Sequence, residues 1–458
     1  MKTKTKVRVA VGVLVVAALA LPVANLIAKK PSGTALAVLF ANARTDARHA
    51  EVQHILESKC AYCHVTGTPR PFYASLPLAS GIIERDVQAG LRYFDLVSAL
   101  SPAPSEPALA RLERSIEEGD MPPGKFLALH WNGGLAPSER AALLDWVHAT
   151  RAANAAPGIP EALRTGVVRP LPKTVAVDAR KAALGELLYN DKRLSGDGTL
   201  ACATCHDLGK GGTDHARVST GIRGQQGGIN APTTLNAGLQ FMQFWDGRAA
   251  TLADQAGGPP QNPIEMGATW DGIVATLSKD KKLAADMKAI YPDGITKANV
   301  TDAIAEFERT LVTPNSKFDR FLEGDASAMS AEEQHGYRVF IERGCATCHV
   351  GELLGGKSFE KMGRQADYFA TRGNPTDADL GRFNHTHAEG DRYLLKVPTL
   401  RNVALTAPYF HDGTQSTLPE AILAMGHYQL GVELAPAEVD ALRKFLEALT
   451  GELHGKAL

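Results

Sequence analysis

Every cysteine of the chain falls in one of three Cys-x-x-Cys-His pentapeptides: Cys60-Ala-Tyr-Cys63-His64, Cys202-Ala-Thr-Cys205-His206 and Cys345-Ala-Thr-Cys348-His349. This spacing is that of c-type haem attachment. Two thiols form thioethers to one porphyrin, and the adjacent histidine falls under the iron as its proximal ligand. A single copy is also compatible with a redox dithiol or half a zinc site. A zinc site needs a second cysteine pair or a nearby pair of histidines, and none is placed to supply it. A thioredoxin-type dithiol has no need of a histidine directly after its second cysteine, three times over. The chain is therefore expected to carry three covalently attached haems c, held by Cys60, Cys63, Cys202, Cys205, Cys345 and Cys348, with His64, His206 and His349 on the irons. No thiol is left for a disulfide.

The length of 458 residues suits about three domains of roughly 150 residues each. The net charge of −1 offers no basic face for nucleic acid and no acidic solvating tail. The N-terminus is more informative. Lys2, Lys4, Lys6 and Arg8 precede an uncharged stretch from Val9 to Ala28, and Lys29-Lys30 closes it. As a helix that stretch spans roughly 30 Å, about one hydrocarbon core. It outruns the apolar region of an ordinary signal peptide, which is the alternative reading. The excess of basic residues before it favours a cytoplasmic N-terminus. The rest of the chain is then expected in the periplasm, anchored to the inner membrane.

The expected fold class is mainly α: three cytochrome c-like haem domains in tandem behind an N-terminal transmembrane helix. The expected divisions are the anchor at 1–30, a monohaem domain at 50–151, a linker at 152–172, a second haem domain at 173–325 and a third at 326–458. Ser138-Glu139 caps a helix ending near Arg151. Residues 152–172 are rich in Ala, Pro and Gly. Leu184, Leu187 and Leu188 lie at helical spacing. Ser330-Ala-Glu-Glu333 has the form of a capping box, and Thr417-Leu-Pro-Glu420 repeats it. Modules two and three share the word Cys-Ala-Thr-Cys-His and look like a diverged duplication.

From about Ala182 to Gly431 the chain resembles the bacterial dihaem cytochrome c peroxidases, the group that includes the MauG proteins. The resemblance is carried by Leu184-Gly-Glu-Leu-Leu-Tyr-Asn-Asp-Lys-Arg-Leu-Ser195, Phe244-Trp-Asp-Gly-Arg248, Gln261-Asn-Pro-Ile-Glu-Met266, Phe307-Glu-Arg-Thr-Leu-Val-Thr-Pro314 and Pro398-Thr-Leu-Arg-Asn-Val-Ala-Leu-Thr-Ala-Pro-Tyr-Phe-His-Asp-Gly413. With the additional haem motif and the anchor, the whole is similar to three-haem, membrane-attached peroxidases that take electrons from quinols.

The resemblance implies roles for individual residues. The Cys202–Cys205 haem is the peroxidatic one, with Glu265 moving protons and Gln255 as its polar neighbour. The Cys345–Cys348 haem is the electron-transfer one, with Met425 as its sixth ligand and Met362 as the rival. A thioether there raises the potential. Where Met425 stands, MauG proteins that mature a protein cofactor have Tyr. Trp245 lies between the two haems. Asn230, Thr406 and Pro408 match a calcium site, whose oxygen ligands suit a hard cation. Members that need reductive activation carry a histidine soon after a Ser/Thr-Gly pair. Here Ser219-Thr-Gly221 is followed by Ile222-Arg223, which points to an iron that is open without prior reduction. His215 is the nearest substitute. In the first module Met121, before a proline pair, is the expected sixth ligand, with His54 and His130 as fallbacks. His385-Thr-His387 reads as a polar loop rather than a metal pair.

The resulting expectation is a peroxidase of the cytochrome c or quinol type that reduces hydrogen peroxide. Its donor is membrane quinol, or else a small cytochrome c or cupredoxin. The rival readings are a multihaem relay without catalysis and a MauG-like oxidase acting on a protein side chain. Oligomeric state is left open, a homodimer included.

Overall fold

A computed structural model describes Ala20 and residues 47–70, 72–75, 79–100 and 104–458. The chain forms two compact units, with the division between Ala153 and Asn154. The expected anchor lies outside the described residues, apart from Ala20. Among the described residues no helix is long and apolar enough to cross a membrane. The fold is mainly helical. Among the described residues the strands are two short antiparallel pairs.

In the first unit, helix α1 (Ala47–Ile55) leads through one further turn into the motif turn Ala61–His64. Helix α2 (Glu106–Glu118) starts at Ser105, whose hydroxyl accepts from the Ala108 N–H, and stops at left-handed Gly119. Helix α3 runs Pro137–Asn154, as the Ser138-Glu139 pattern predicts. Val52, Leu56, Leu109, Leu143 and Val147 are wholly buried in the core these helices share. Gly90, on the helix Ala79–Tyr93, lets that helix pass close to the motif: a Cβ there would sit 2.9 Å from the Cys63 carbonyl.

The second unit holds both remaining motifs and has two main apolar cores. One is built around Leu188, Leu235, Met287, Ala303 and Phe307. The other is built around Phe318, Phe340, Leu442 and Phe445. Each contains the same helix crossing. Helix α4 (Ala179–Tyr189) packs on α5 (Lys297–Arg309), and α6 (Ala331–Glu342) packs on α8 (Pro436–Glu447), after the short α7 (Leu418–Ala424). At the first crossing a Cβ on Gly185 would lie 1.9 Å from the Ala303 carbonyl and 2.7 Å from Phe307 Cβ. At the second, a Cβ on Gly336 would lie 1.9 Å from the Ala441 carbonyl and 2.8 Å from Phe445 Cβ. Only glycine permits such an approach. The repeated geometry gives the duplication a physical form. Both capping boxes are present, the Ser330 N–H donating to Glu333 at 2.7 Å and the Thr417 N–H to Glu420 at 2.9 Å.

Two expectations need revision. The stretch read as a linker docks into the second unit towards its end. Val168 bridges to Gly351, and fully buried Arg169 pairs with Glu352 at 3.0 Å. Arg401 then clamps the segment, donating to the Arg169 carbonyl and pairing with Asp319, both at 2.8 Å. Composition hid this, because Ala, Pro and Gly also suit a strap whose backbone is bonded from outside. Leu187, read as part of the apolar stripe of α4, is 58% exposed, whereas Leu184 and Leu188 are buried.

Candidate active site and haem attachment sites

Each motif forms a single helical turn: Ala61–His64, Cys202–Cys205 and Cys345–Thr347. None of the six cysteines is in a disulfide. The three histidines share one arrangement. His64 Nδ1 lies 2.7 Å from the Phe94 carbonyl, His206 Nδ1 3.3 Å from that of Gly212, and His349 Nδ1 2.9 Å from that of Leu354. A carbonyl can only accept, so Nδ1 carries the proton and Nε2 keeps its lone pair for a metal. Burial lowers the pKa of all three rings, which favours the neutral, ligating form. Two thiols beside such an imidazole, three times over, fit a covalently attached haem.

At the third motif the fit extends to a cavity. Cys345, Cys348, His349, Met362 and Met425 all line it, within a wall of apolar side chains such as Leu400, Val403, Leu418 and Leu442. Both candidate sulfur ligands therefore face the same space. Trp245, Asn230, Thr406 and Pro408 also line it. Trp245 is fixed there, its indole N–H donating to the Asn230 carbonyl at 2.9 Å. The Asn230 side-chain amide donates to the Ala216 carbonyl at 2.9 Å, which leaves its own oxygen as an acceptor for a cation.

Glu265 lines a separate cavity with Phe244, Arg248, Asp254 and Asn262. The Asn262 amide donates to Glu265 Oε1 at 2.6 Å. Burial raises the Glu265 pKa, and Arg248 and Asn262 work against that rise. Arg248 is itself held over the Phe244 ring at 3.5 Å and paired with Asp246 at 2.9 Å. Burial raises the Cys205 thiol too, and the fields of Asp214 and Glu265 add to it, which sets Glu265 near the attachment point. Gln255, on the turn Leu252–Ala256, is half-buried, but that turn contributes Asp254 to the cavity wall rather than Gln255.

The loop after Ser219 lies against this site. The Ser219 hydroxyl donates to Asp214 at 2.6 Å, and the Ile222 N–H donates to the Glu265 carbonyl at 2.8 Å. Ile222 is buried; a Cβ on Gly267 would lie 2.2 Å from its Cδ1. The loop thus presents an aliphatic side chain. His215, the nearest substitute, is exposed and has its Nε2 on the Leu405 carbonyl at 2.8 Å.

In the first unit, Met121 is 36% exposed and follows the end of α2. Both ring nitrogens of His130 are occupied, by Tyr73 at 2.7 Å and the Phe126 carbonyl at 2.9 Å, which removes it as a fallback ligand. His54 is exposed on α1. His385 and His387 are exposed on a short turn, as a polar loop requires.

Sequence reasoning missed a buried ionic cluster beside Trp245. His411 Nε2 meets Asp379 at 2.7 Å, and Arg372 bridges Asp379 and Asp412, each at 2.5 Å. His411 meets the Trp245 ring edge-on at 6.3 Å. The two carboxylates and the imidazole lie close enough to hold a metal ion. The guanidinium already pairs with both acids, so the cluster reads as a structural ion network. The Phe-His-Asp-Gly word was its only trace in the sequence.

Residues 179–327 match the di-haem cytochrome c peroxidase family, and residues 26–149 match a haem-binding domain. Cytochrome c peroxidase Ccp of Escherichia coli (strain K12) is 46% identical over 403 residues, which cover 86% of this chain and 86% of that protein. The chain belongs to the di-haem cytochrome c peroxidase family. Cytochrome c551 peroxidase of Nitrosomonas europaea is 44% identical, over 62% of this chain and 84% of that protein. Among solved structures, a MauG-like protein associated with microbial copper homeostasis aligns with a TM-score of 0.56 and 28% identity, over 65% of this chain and 95% of that one. This family member is an oxidoreductase of the peroxidase type. The two halves of its second unit each carry one motif and one glycine crossing.

Proposed function

We propose that the protein reduces hydrogen peroxide to water in the periplasm, carries three covalently attached haems, and takes electrons from membrane quinol while anchored by Val9–Ala28. The observation that carries the reading is Glu265, a half-buried carboxyl whose pKa burial raises, in a cavity shared with Arg248 and Asn262 and with its field felt at the Cys205 thiol.

The reaction consumes one peroxide, two protons and two electrons and yields two waters. A haem on Cys202 and Cys205 supplies the iron chemistry that cleaves the O–O bond. Glu265 takes a proton from one peroxide oxygen and returns it to the oxygen that leaves. Asn262 holds Oε1 at 2.6 Å, so Oε2 is the atom free to exchange the proton. The field of Arg248 opposes the rise that burial causes and so favours the carboxylate form. Ile222 has no ligating atom, so the loop leaves the site accessible.

Trp245 supplies an aromatic path for electrons through the wall of the Cys345 cavity. Met425 is the proposed sixth ligand there, and Asn230, Thr406 and Pro408 are the proposed calcium ligands. Met121 has that sixth-ligand role at the first motif, where electrons enter.

The test is peroxide-dependent oxidation of a quinol by the haem-loaded, detergent-extracted protein, run beside the same assay with a reduced small cytochrome c. Turnover with quinol supports the whole reading. Turnover with cytochrome c alone overturns the quinol donor, and turnover with neither overturns peroxidase function.

A further inference from the structure

Lys396 is an unusual lysine. It ends strand β2 (Leu394–Lys396), which pairs antiparallel with β1 (Phe359–Lys361), and it is 5% exposed. It lines the cavity that holds Cys345, Cys348 and His349. Its backbone N–H donates to the Trp245 carbonyl at 2.7 Å, so its position is tied to that of the indole. Its ammonium donates to Gln240 Oε1, a neutral partner that lines the same cavity.

No carboxylate among the described residues pairs with it. Asp246 acts on it only at a distance and is itself paired with Arg248. Glu360, the acidic residue in the cavity wall, is paired with Arg364 at 3.3 Å. Burial lowers the Lys396 pKa to about 7, the mark of an ammonium without a counter-ion. Lysines are almost never buried unpaired, because desolvating a lone cation costs several kcal/mol. A partner of opposite charge is therefore expected inside this cavity, and a haem c brings two carboxylates of its own.

We propose that Lys396, with Gln240, binds a propionate of the haem attached at Cys345 and Cys348, on the wall shared with Trp245. Gln240 retains two amide donors after accepting from the ammonium, so the pair presents charge and hydrogen bonds together. The cation stands where it opposes loss of an electron from that haem, and the same backbone segment fixes Trp245. Lys396 is thus a positioning residue for the electron path.

The inference rests on a haem being attached at Cys345 and Cys348. The mass of the wild-type peptide carrying those cysteines tests that point separately. The proposal itself is tested in the full-length holoprotein with Lys396→Gln and Lys396→Arg. The readouts are the midpoint potential of this haem at mildly alkaline pH and the redox-induced infrared difference spectrum with isotope-labelled propionates. In Lys396→Gln the propionate band shifts and the potential falls, while Lys396→Arg keeps the potential near that of wild type. An unshifted propionate band in Lys396→Gln overturns the proposal. Should Lys396→Gln fail to accumulate with haem, the band in Lys396→Arg decides. A shift there supports contact, and identity with wild type overturns it.

Discussion

The backbone N–H of Ile222 donates to the carbonyl of Glu265 at 2.8 Å. The loop that the family resemblance marks for an iron-blocking histidine is thereby pinned to the segment that carries the proposed proton-moving carboxylate. What that loop presents is a buried isoleucine packed against Gly267. The proposed roles in access and in acid–base chemistry thus fall on neighbouring residues, so they can be altered one at a time.

Glu265→Gln keeps the shape and the Asn262 contact but removes proton exchange. Peroxide turnover is expected to fall roughly 10²–10⁴-fold, with haem content unchanged. Steady-state assays beside haem quantification check this. In the wild type the carboxylate form is the one that accepts the proton, and burial raises its pKa. Activity therefore falls as pH drops through a value above that of an ordinary glutamate, and a pH–rate profile reads it.

Ile222→His restores a ligating side chain to the loop. The oxidised variant is expected to show a six-coordinate, low-spin spectrum at the Cys202 haem and to react with peroxide only after reduction. Electron paramagnetic resonance of oxidised wild type and variant is the check.

Glu308 lies on α5, and burial alone pushes its pKa from 4.5 up to about 8. Between those values the unfolded chain releases a proton that the folded protein retains, so stability falls as pH rises through the window and the full cost stands above it. Each tenfold change in proton affinity is worth about 1.4 kcal/mol. Glu308→Gln is expected to raise the melting temperature clearly at pH 8 and hardly at pH 4.5. Thermal unfolding at both values checks it.

Gly336→Ala places a methyl group 1.9 Å from the Ala441 carbonyl at the α6–α8 crossing. Overpacking of this kind costs about 1–3 kcal/mol. Chemical denaturation followed by circular dichroism should show the loss, and Gly185→Ala should repeat it at the α4–α5 crossing.

Local signals made much of this molecule legible in its sequence. The haem turns need only five adjacent residues, and the caps at Ser330 and Thr417 need four. The loop at Ile222 and the segment at Glu265 were marked by words around them. What the sequence did not disclose joins residues far apart in the chain. Arg169 meets Glu352, Arg372 meets Asp412, and the depth of Lys396 depends on a cavity walled by both halves of the unit. A charged residue reads as surface until the fold supplies its partner. Leu187 shows the reverse, an apolar side chain at helical spacing that the helix turns outward.

The proposed Cys202 site is open in the resting protein and works through Glu265. The most direct test starts from fully oxidised wild-type protein with no reductive pretreatment and follows donor oxidation from the moment peroxide is added. Turnover at full rate without a lag is the predicted result. No turnover until the protein has first been reduced would contradict the account.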